Sequence, residues 1–345
     1  MGIRGHHHRA CKPFRVSKLN NLESHRPLTH LTTPNPIPNP GMSSFNDRVP
    51  YEGVRLAANA FSTIVLVWLG VLVARNASLK HHSGPARGGF LLFKIALPLM
   101  ALVFLFSLAS NAVQLSLHLG TTDRSSQIRT LRLGYINGFL KTTAHAILMA
   151  SIARLITGTK MAVKQQGSKA YRTFIDIFAA LIILLGFVIM VIRQVVIHNG
   201  PFFLREDLFL AHGSMQVAVV GLLAIGGLAN TISAWLERRG ARKEAGGAYR
   251  TVGNYVAAIA TLNFVIFIWS LLVGILFATV IPSTLYVDPM AWSLADTFII
   301  NIATIAVFFM IYVLGKREEG GLWLTTEPHG QGVPKSSNEI SVSQV

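Results

Sequence analysis

The sequence predicts an all-α integral membrane protein built as a bundle of seven transmembrane helices. Of its 345 residues 51% are hydrophobic and only 13% are charged, whereas a soluble protein carries about 25% charged residues. Seven apolar stretches follow one another at short intervals, and each exceeds the ~20 residues that cross a bilayer core. These spans are residues 51–74, 91–119, 134–158, 174–198, 208–236, 252–281 and 291–315.

The spans differ in ways that bear on the bundle. The first, 51–74, is too long for the apolar region of a cleavable signal peptide, so we expect it to remain as a signal anchor. The second contains Pro98 and should kink there. The third, 134–158, is the most polar, and the other six are cleaner apolar runs. Because the loops are short, consecutive helices should be antiparallel neighbours.

Two polar tails flank the helical domain, residues 51–315. Residues 1–50 are basic and rich in proline, with no helix or strand periodicity, so we expect a disordered N-terminal tail. Residues 316–345 are polar, and we expect a disordered cytosolic tail there. The single cysteine, Cys11, lies in the first tail, which excludes an intrachain disulfide.

The loop charges predict the orientation of the bundle. Lysine and arginine near the spans collect on the cytosolic side of multi-pass proteins. Loop 237–251 carries five such residues, and loops 75–90 and 159–173 are also basic, whereas loop 282–290 carries none. We therefore expect the N-terminus outside or in a lumen and the C-terminus in the cytosol. Because the basic residues lie in short loops, the expected partner is the lipid bilayer and not nucleic acid.

The third span carries ionisable groups within an apolar run. Asn137, Lys141 and His145 recur at every fourth residue and so share one face of a helix. Such groups are costly in hydrocarbon and usually face a bundle interior or a water-filled cavity. The alternative for Lys141 is that its side chain snorkels to the membrane interface.

Polar residues concentrate in the halves of the spans that we place outside. A polar funnel that opens on one side and is closed by apolar packing on the other is the layout of a ligand pocket between helices. The alternative is that span ends are simply more polar than span centres. The predicted ligand-pocket residues are Asn111, Gln114, His118, Asn137, Lys141, His145, His212, Gln216 and Asp296.

Two of these pocket residues have opposite charges. Lys141 and Asp296 lie a few residues into helices that run in the same direction, at depths of roughly 7–11 Å. We therefore expect them to form an ion pair in the outer half of the bundle.

Four histidines, His118, His145, His198 and His212, lie on successive spans towards one side. Imidazole is the commonest metal ligand, and facing histidines can hold haem. However, haem carriers similar to cytochrome b561 need histidine pairs near both faces, and seven-helix zinc hydrolases need an HxxxH pair in a last span that here has no histidine. We therefore expect no cofactor and no metal.

The chain resembles the rhodopsin-like receptors in span count and orientation. At the position of their Asp-Arg-Tyr motif it has Ile152-Ala153-Arg154, which keeps only the arginine, and the seventh span has neither NPxxY nor a retinal-binding lysine. It is also similar to the fungal lipid-translocating exporters in its seven-span plan, without their motifs.

The favoured function is a receptor or sensor that binds a small ligand in an outward-facing polar pocket. It would signal to a cytosolic partner at loop 237–251 and would lie in the plasma membrane rather than in an internal membrane. The first alternative is a transporter or lipid exporter, and the second is a structural membrane protein. We do not expect an enzyme, because the spans contain no acid–base cluster or metal signature.

Overall fold

The computed structural model consists, in the residues that it describes, of seven long α-helices. They are α1 (Phe45–Arg75), α2 (Pro85–His118), α3 (Arg124–Lys164), α4 (Lys169–Asn199), α5 (Arg205–Glu244), α6 (Gly246–Thr279) and α7 (Pro289–Lys316). These seven ranges are the residues that the structure describes. Each helix is long and apolar enough to cross a membrane. The protein is therefore an all-helical, multi-pass membrane protein, as the hydropathy predicts.

The predicted tails lie largely outside the described residues. The helical domain begins at Phe45, inside the predicted N-terminal tail 1–50, and α7 ends at Lys316, the first residue of the predicted C-terminal tail. The expectation of disorder for the rest of both tails stays a prediction.

Most helices extend beyond the predicted spans. α3 is the clearest case, because it begins at Arg124 and not at residue 134, and it continues to Lys164. The added segments, 124–133 and 159–164, contain neither glycine nor proline, so nothing in them stops a helix. With 41 residues, α3 is about 60 Å long, roughly twice the thickness of a hydrocarbon core.

α3 occupies the interior of the bundle. It contacts α2, α4, α5 and α6, while α1 and α7 contact each other and close the ring through α2 and α6. In the most apolar stretch of α3, 61% of the residues are buried, against 22% in α4. The most polar of the seven spans is thus the one most shielded from lipid.

Small residues allow α3 to pack closely against its neighbours. Ala146, Ala150 and Ala153 are buried, as expected for helices that associate in lipid by close van der Waals contact. The approach of α2 to α3 is closest at glycines. The Ser151 hydroxyl donates a 2.8 Å hydrogen bond to the carbonyl of Gly89, and a Cβ built on Gly158 would lie 2.9 Å from the Cβ of Ala86.

The two ends of the bundle are built differently. At one end α1, α3, α5 and α7 begin, and polar side chains line two cavities between the helices. We call this the pocket end, and the other the closed end.

Side-chain pairs join neighbouring helices at the closed end. Arg154 forms an ion pair with Asp176 at 2.9 Å between α3 and α4. Lys160 pairs with Glu237 at 3.4 Å between α3 and α5. These contacts hold α4 and α5 against the interior helix.

Candidate ligand pocket

Two cavities adjoin at the pocket end. The first has a volume of about 240 Å³ and lies among α3, α4, α5, α6 and α7. The second, of about 250 Å³, lies among α1, α2, α3 and α7. They share the lining residues Lys141, His145, Asp296 and Ile300, so α3 and α7 form a common wall. All seven helices contribute to one or the other.

The first cavity has a mainly apolar lining and one set of polar contacts, which are made by Arg193. Phe139 and Phe267 line it together with aliphatic side chains. The guanidinium of Arg193 lies 4.5 Å from the centre of the Tyr135 ring, and its NH2 group donates a 2.9 Å hydrogen bond to Oε1 of Gln216. Arg193 of α4 thereby links α3 to α5 at the rim.

The second cavity is more polar, and its amides connect helices. Nδ2 of Asn137 donates a 2.9 Å hydrogen bond to the Ser107 hydroxyl, which joins α3 to α2. Nδ2 of Asn301 donates a 3.0 Å hydrogen bond to Oδ1 of the buried Asn59, which joins α7 to α1. These two bonds fix the walls of the cavity.

His145 lies between the two cavities. Its side chain is only 3% exposed, and its ring meets the Phe267 ring edge-on at a centroid distance of 5.3 Å. Among the described residues its Nδ1 has no hydrogen-bond partner, and the same is true of Nδ2 of Asn111 and Oδ1 of Asn137. Buried polar atoms in proteins are usually hydrogen-bonded, so these three atoms identify a surface suited to a polar ligand.

The predicted ion pair between Lys141 and Asp296 is absent. Both residues line both cavities, but no ion pair within 4.0 Å joins them in the described part of the chain. Oδ1 of Asp296 instead accepts a 2.9 Å hydrogen bond from the indole Nε1 of Trp269. The Trp269 ring stacks on Trp292 at a centroid distance of 5.9 Å, which holds the donor in place.

The structure brings most of the predicted pocket residues to these cavities. Lys141, His145 and Asp296 line both, and Gln216 lines the first. The second is also lined by Asn111, Gln114 and Asn137. The side chains of His118 and His212 lie outside the described residues.

Several contributors to the site are not among the predicted pocket residues, and Arg193 and Trp269 are two of them. The sequence does not mark Arg193 as a cavity residue, because a helix end near the interface ordinarily exposes its arginine to water. Trp269 lies within an apolar run of the sixth span, although its indole N–H is a donor that usually finds a partner when buried. The identifying signal is that α6 and α7 are consecutive helices, which short loops make neighbours, and that Trp269 and Asp296 lie at similar depth in them.

In the described part of the chain, no group of three or more histidine, cysteine or acidic side chains is placed to hold a metal ion. No protein-family model, curated protein or solved structure matches this chain. Its function is therefore inferred from the site itself.

Proposed function

We propose that the protein is a membrane receptor or sensor that binds a small dipolar ligand in the two adjoining cavities. The observation that carries this proposal is that Lys141 and Asp296 line the same cavities without pairing. Unpaired charges within a membrane protein are costly and usually mark a ligand or ion site. A ligand with one carboxylate and one ammonium group would compensate both charges at once.

The lining of the cavities suits such a ligand. The buried atoms of His145, Asn111 and Asn137 that have no hydrogen-bond partner among the described residues supply further hydrogen-bonding positions. The apolar wall of the first cavity accommodates a hydrocarbon group. Each cavity is somewhat smaller than the ~300–1,000 Å³ typical of sites for drug-sized ligands. The ligand class is therefore a small zwitterion with an apolar side chain.

The closed end favours a sensor over a transporter. Arg154, Asn230 and Asn254 are polar residues beyond the cavities that a route across the bundle could use. Arg154 is paired with Asp176, Asn230 bonds Tyr171 and the Met149 carbonyl, and Asn254 accepts a 2.7 Å hydrogen bond from Arg238. All three are engaged in contacts between helices.

We expect L-leucine to raise the Tm of the purified protein in a saturable way, because it carries both charges and an aliphatic chain. Isocaproate, which lacks the amine, and isoamylamine, which lacks the carboxylate, should act more weakly. Lys141→Met and Asp296→Asn should each weaken leucine binding about tenfold or more, since each removes a charged hydrogen-bonding partner. Tm measured against ligand concentration gives the affinities.

The matched control is Lys169→Met, which removes an exposed lysine at the start of α4, away from both cavities. It should leave the affinity unchanged. Equal affinities of wild type and both pocket variants would refute the role of the two charges. Accumulation of leucine in proteoliposomes would instead establish the transporter.

We further propose that the pocket end faces the outside and that loop 237–251 meets a partner in the cytosol, with the plasma membrane as the site of action. This orientation predicts that the acceptor sequence Asn76-Ala77-Ser78, outside the described residues, is not glycosylated, because it follows α1 on the cytosolic side. Glycosidase treatment of protein from a eukaryotic host should leave its mass unchanged. A shift in mass that disappears in Asn76→Gln would show that the protein has the opposite orientation in the membrane.

A further inference from the structure

A third cavity lies on the outside of the bundle, between α1 and α2. It has a volume of about 620 Å³, and its lining is almost entirely apolar. Val67 and Leu102, which are 52% and 42% exposed, lie among its lining residues and show that it opens away from the bundle interior. In a membrane-spanning helix pair this direction faces lipid, so we call this cavity the lipid groove.

Among the described residues that line the lipid groove, Lys94 is the only charged one. It lies on α2, nine residues after Pro85, which is about 13 Å along the helix axis. In the described part of the chain Lys94 forms no ion pair within 4.0 Å. A cationic side chain at this depth requires a compensating partner or must extend towards the interface.

Pro98 leaves the backbone carbonyl of Lys94 without its usual helical donor. It lines the groove together with Lys94, four residues away on α2. A proline has no amide hydrogen, so it cannot donate the helical hydrogen bond to the carbonyl of Lys94. The position therefore combines an ammonium donor with a carbonyl that lacks its usual helical partner.

We propose that the lipid groove binds an anionic phospholipid, with one acyl chain in the groove and the phosphate paired with the Lys94 ammonium. In a membrane the groove opens to the side that faces lipid, and its apolar walls match an acyl chain. The long lysine side chain can extend its charge towards the headgroup region. Under the orientation proposed above, the Lys94 half of α2 lies in the cytosolic leaflet, where anionic lipids are enriched.

The test compares lipids retained by the protein in nanodiscs of phosphatidylcholine and phosphatidylglycerol, with native mass spectrometry as the readout. The wild type should retain phosphatidylglycerol in preference to phosphatidylcholine. Lys94→Met should reduce that preference roughly fivefold, the effect of one basic residue near an anionic surface. The preference for phosphatidylglycerol should be unchanged in two control variants. Lys94→Arg keeps the charge, and Lys169→Met removes an exposed lysine of α4.

A second variant tests the acyl chain independently of the charge. A Cβ at Gly70, on the groove wall, meets only Cδ2 of Leu97 at 3.9 Å, so a larger side chain has room to enter the groove. Gly70→Leu should reduce retention of both lipids, whereas Gly70→Ala should not. An unchanged preference in Lys94→Met, or unchanged retention in Gly70→Leu, would overturn the proposal, provided that Tm shows the variant to be folded.

Discussion

Gly158→Val is expected to destabilise the bundle by about 2–3 kcal/mol, at the upper end of the cost of overpacking a core. A Cβ at this position would lie 2.9 Å from the Cβ of Ala86 and 3.1 Å from its backbone nitrogen. Backbone atoms cannot rotate away, so α2 and α3 would have to separate. That movement would also strain the hydrogen bond from Ser151 to Gly89.

The control lies on the same helix. A Cβ at Gly134 meets nothing within 4 Å, so Gly134→Val should change stability by no more than about 0.5 kcal/mol, the difference in helix propensity. Thermal unfolding of both variants in the same nanodiscs compares them directly. If their Tm values fell together, the close approach of α2 and α3 would not be what stabilises this part of the bundle.

Asn230→Ala is expected to cost about 2 kcal/mol, because one buried amide joins three helices. Asn230 of α5 is completely buried. Its Oδ1 accepts a 2.7 Å hydrogen bond from the hydroxyl of Tyr171 in α4, and its Nδ2 donates a 2.9 Å hydrogen bond to the carbonyl of Met149 in α3. Truncation removes both bonds and leaves the carbonyl without this donor.

Tyr171→Phe separates the two contributions. It removes the hydrogen bond to Oδ1, worth about 0.6 kcal/mol for an average interhelical contact, and leaves the bond from Nδ2 to the Met149 carbonyl in place. Tm should therefore fall less in Tyr171→Phe than in Asn230→Ala. Equal losses would mean that the bond to Met149 adds nothing to stability.

The number and approximate positions of the helices could be predicted from sequence because bilayer insertion depends on hydropathy averaged over about 20 residues. The ends of the helices could not be predicted in this way, since outside the hydrocarbon they depend on the helix propensity of the local residues. Residues 124–133 extend α3 because they contain no glycine or proline. Averaged hydropathy does not register whether a polar segment contains glycine or proline.

The polar face of α3 could also be predicted, because a spacing of four residues fixes a shared side of a helix. Asn137, Lys141 and His145 accordingly line the same cavity. The predicted ion pair between Lys141 and Asp296 was wrong, because similar depth in two helices says nothing about the lateral distance between them. In the folded bundle Asp296 bonds Trp269 instead, a partner whose apolar ring conceals its donor in a hydropathy analysis.

The interior position of α3 also bears on how the protein is made. The most apolar stretch of α3 has a mean hydropathy of 1.3, and the corresponding stretch of α4 has 3.0. A lysine or arginine within the hydrocarbon raises the cost of insertion, by up to about 2.5–3.5 kcal/mol at the bilayer centre, and α3 contains both Lys141 and Arg154. We therefore expect α3 to enter the lipid least readily of the seven spans as it leaves the translocon, and to integrate stably only beside α2 and α4, which it contacts in the bundle. The helix at the centre of the finished bundle is the one that depends most on co-insertion with its neighbours.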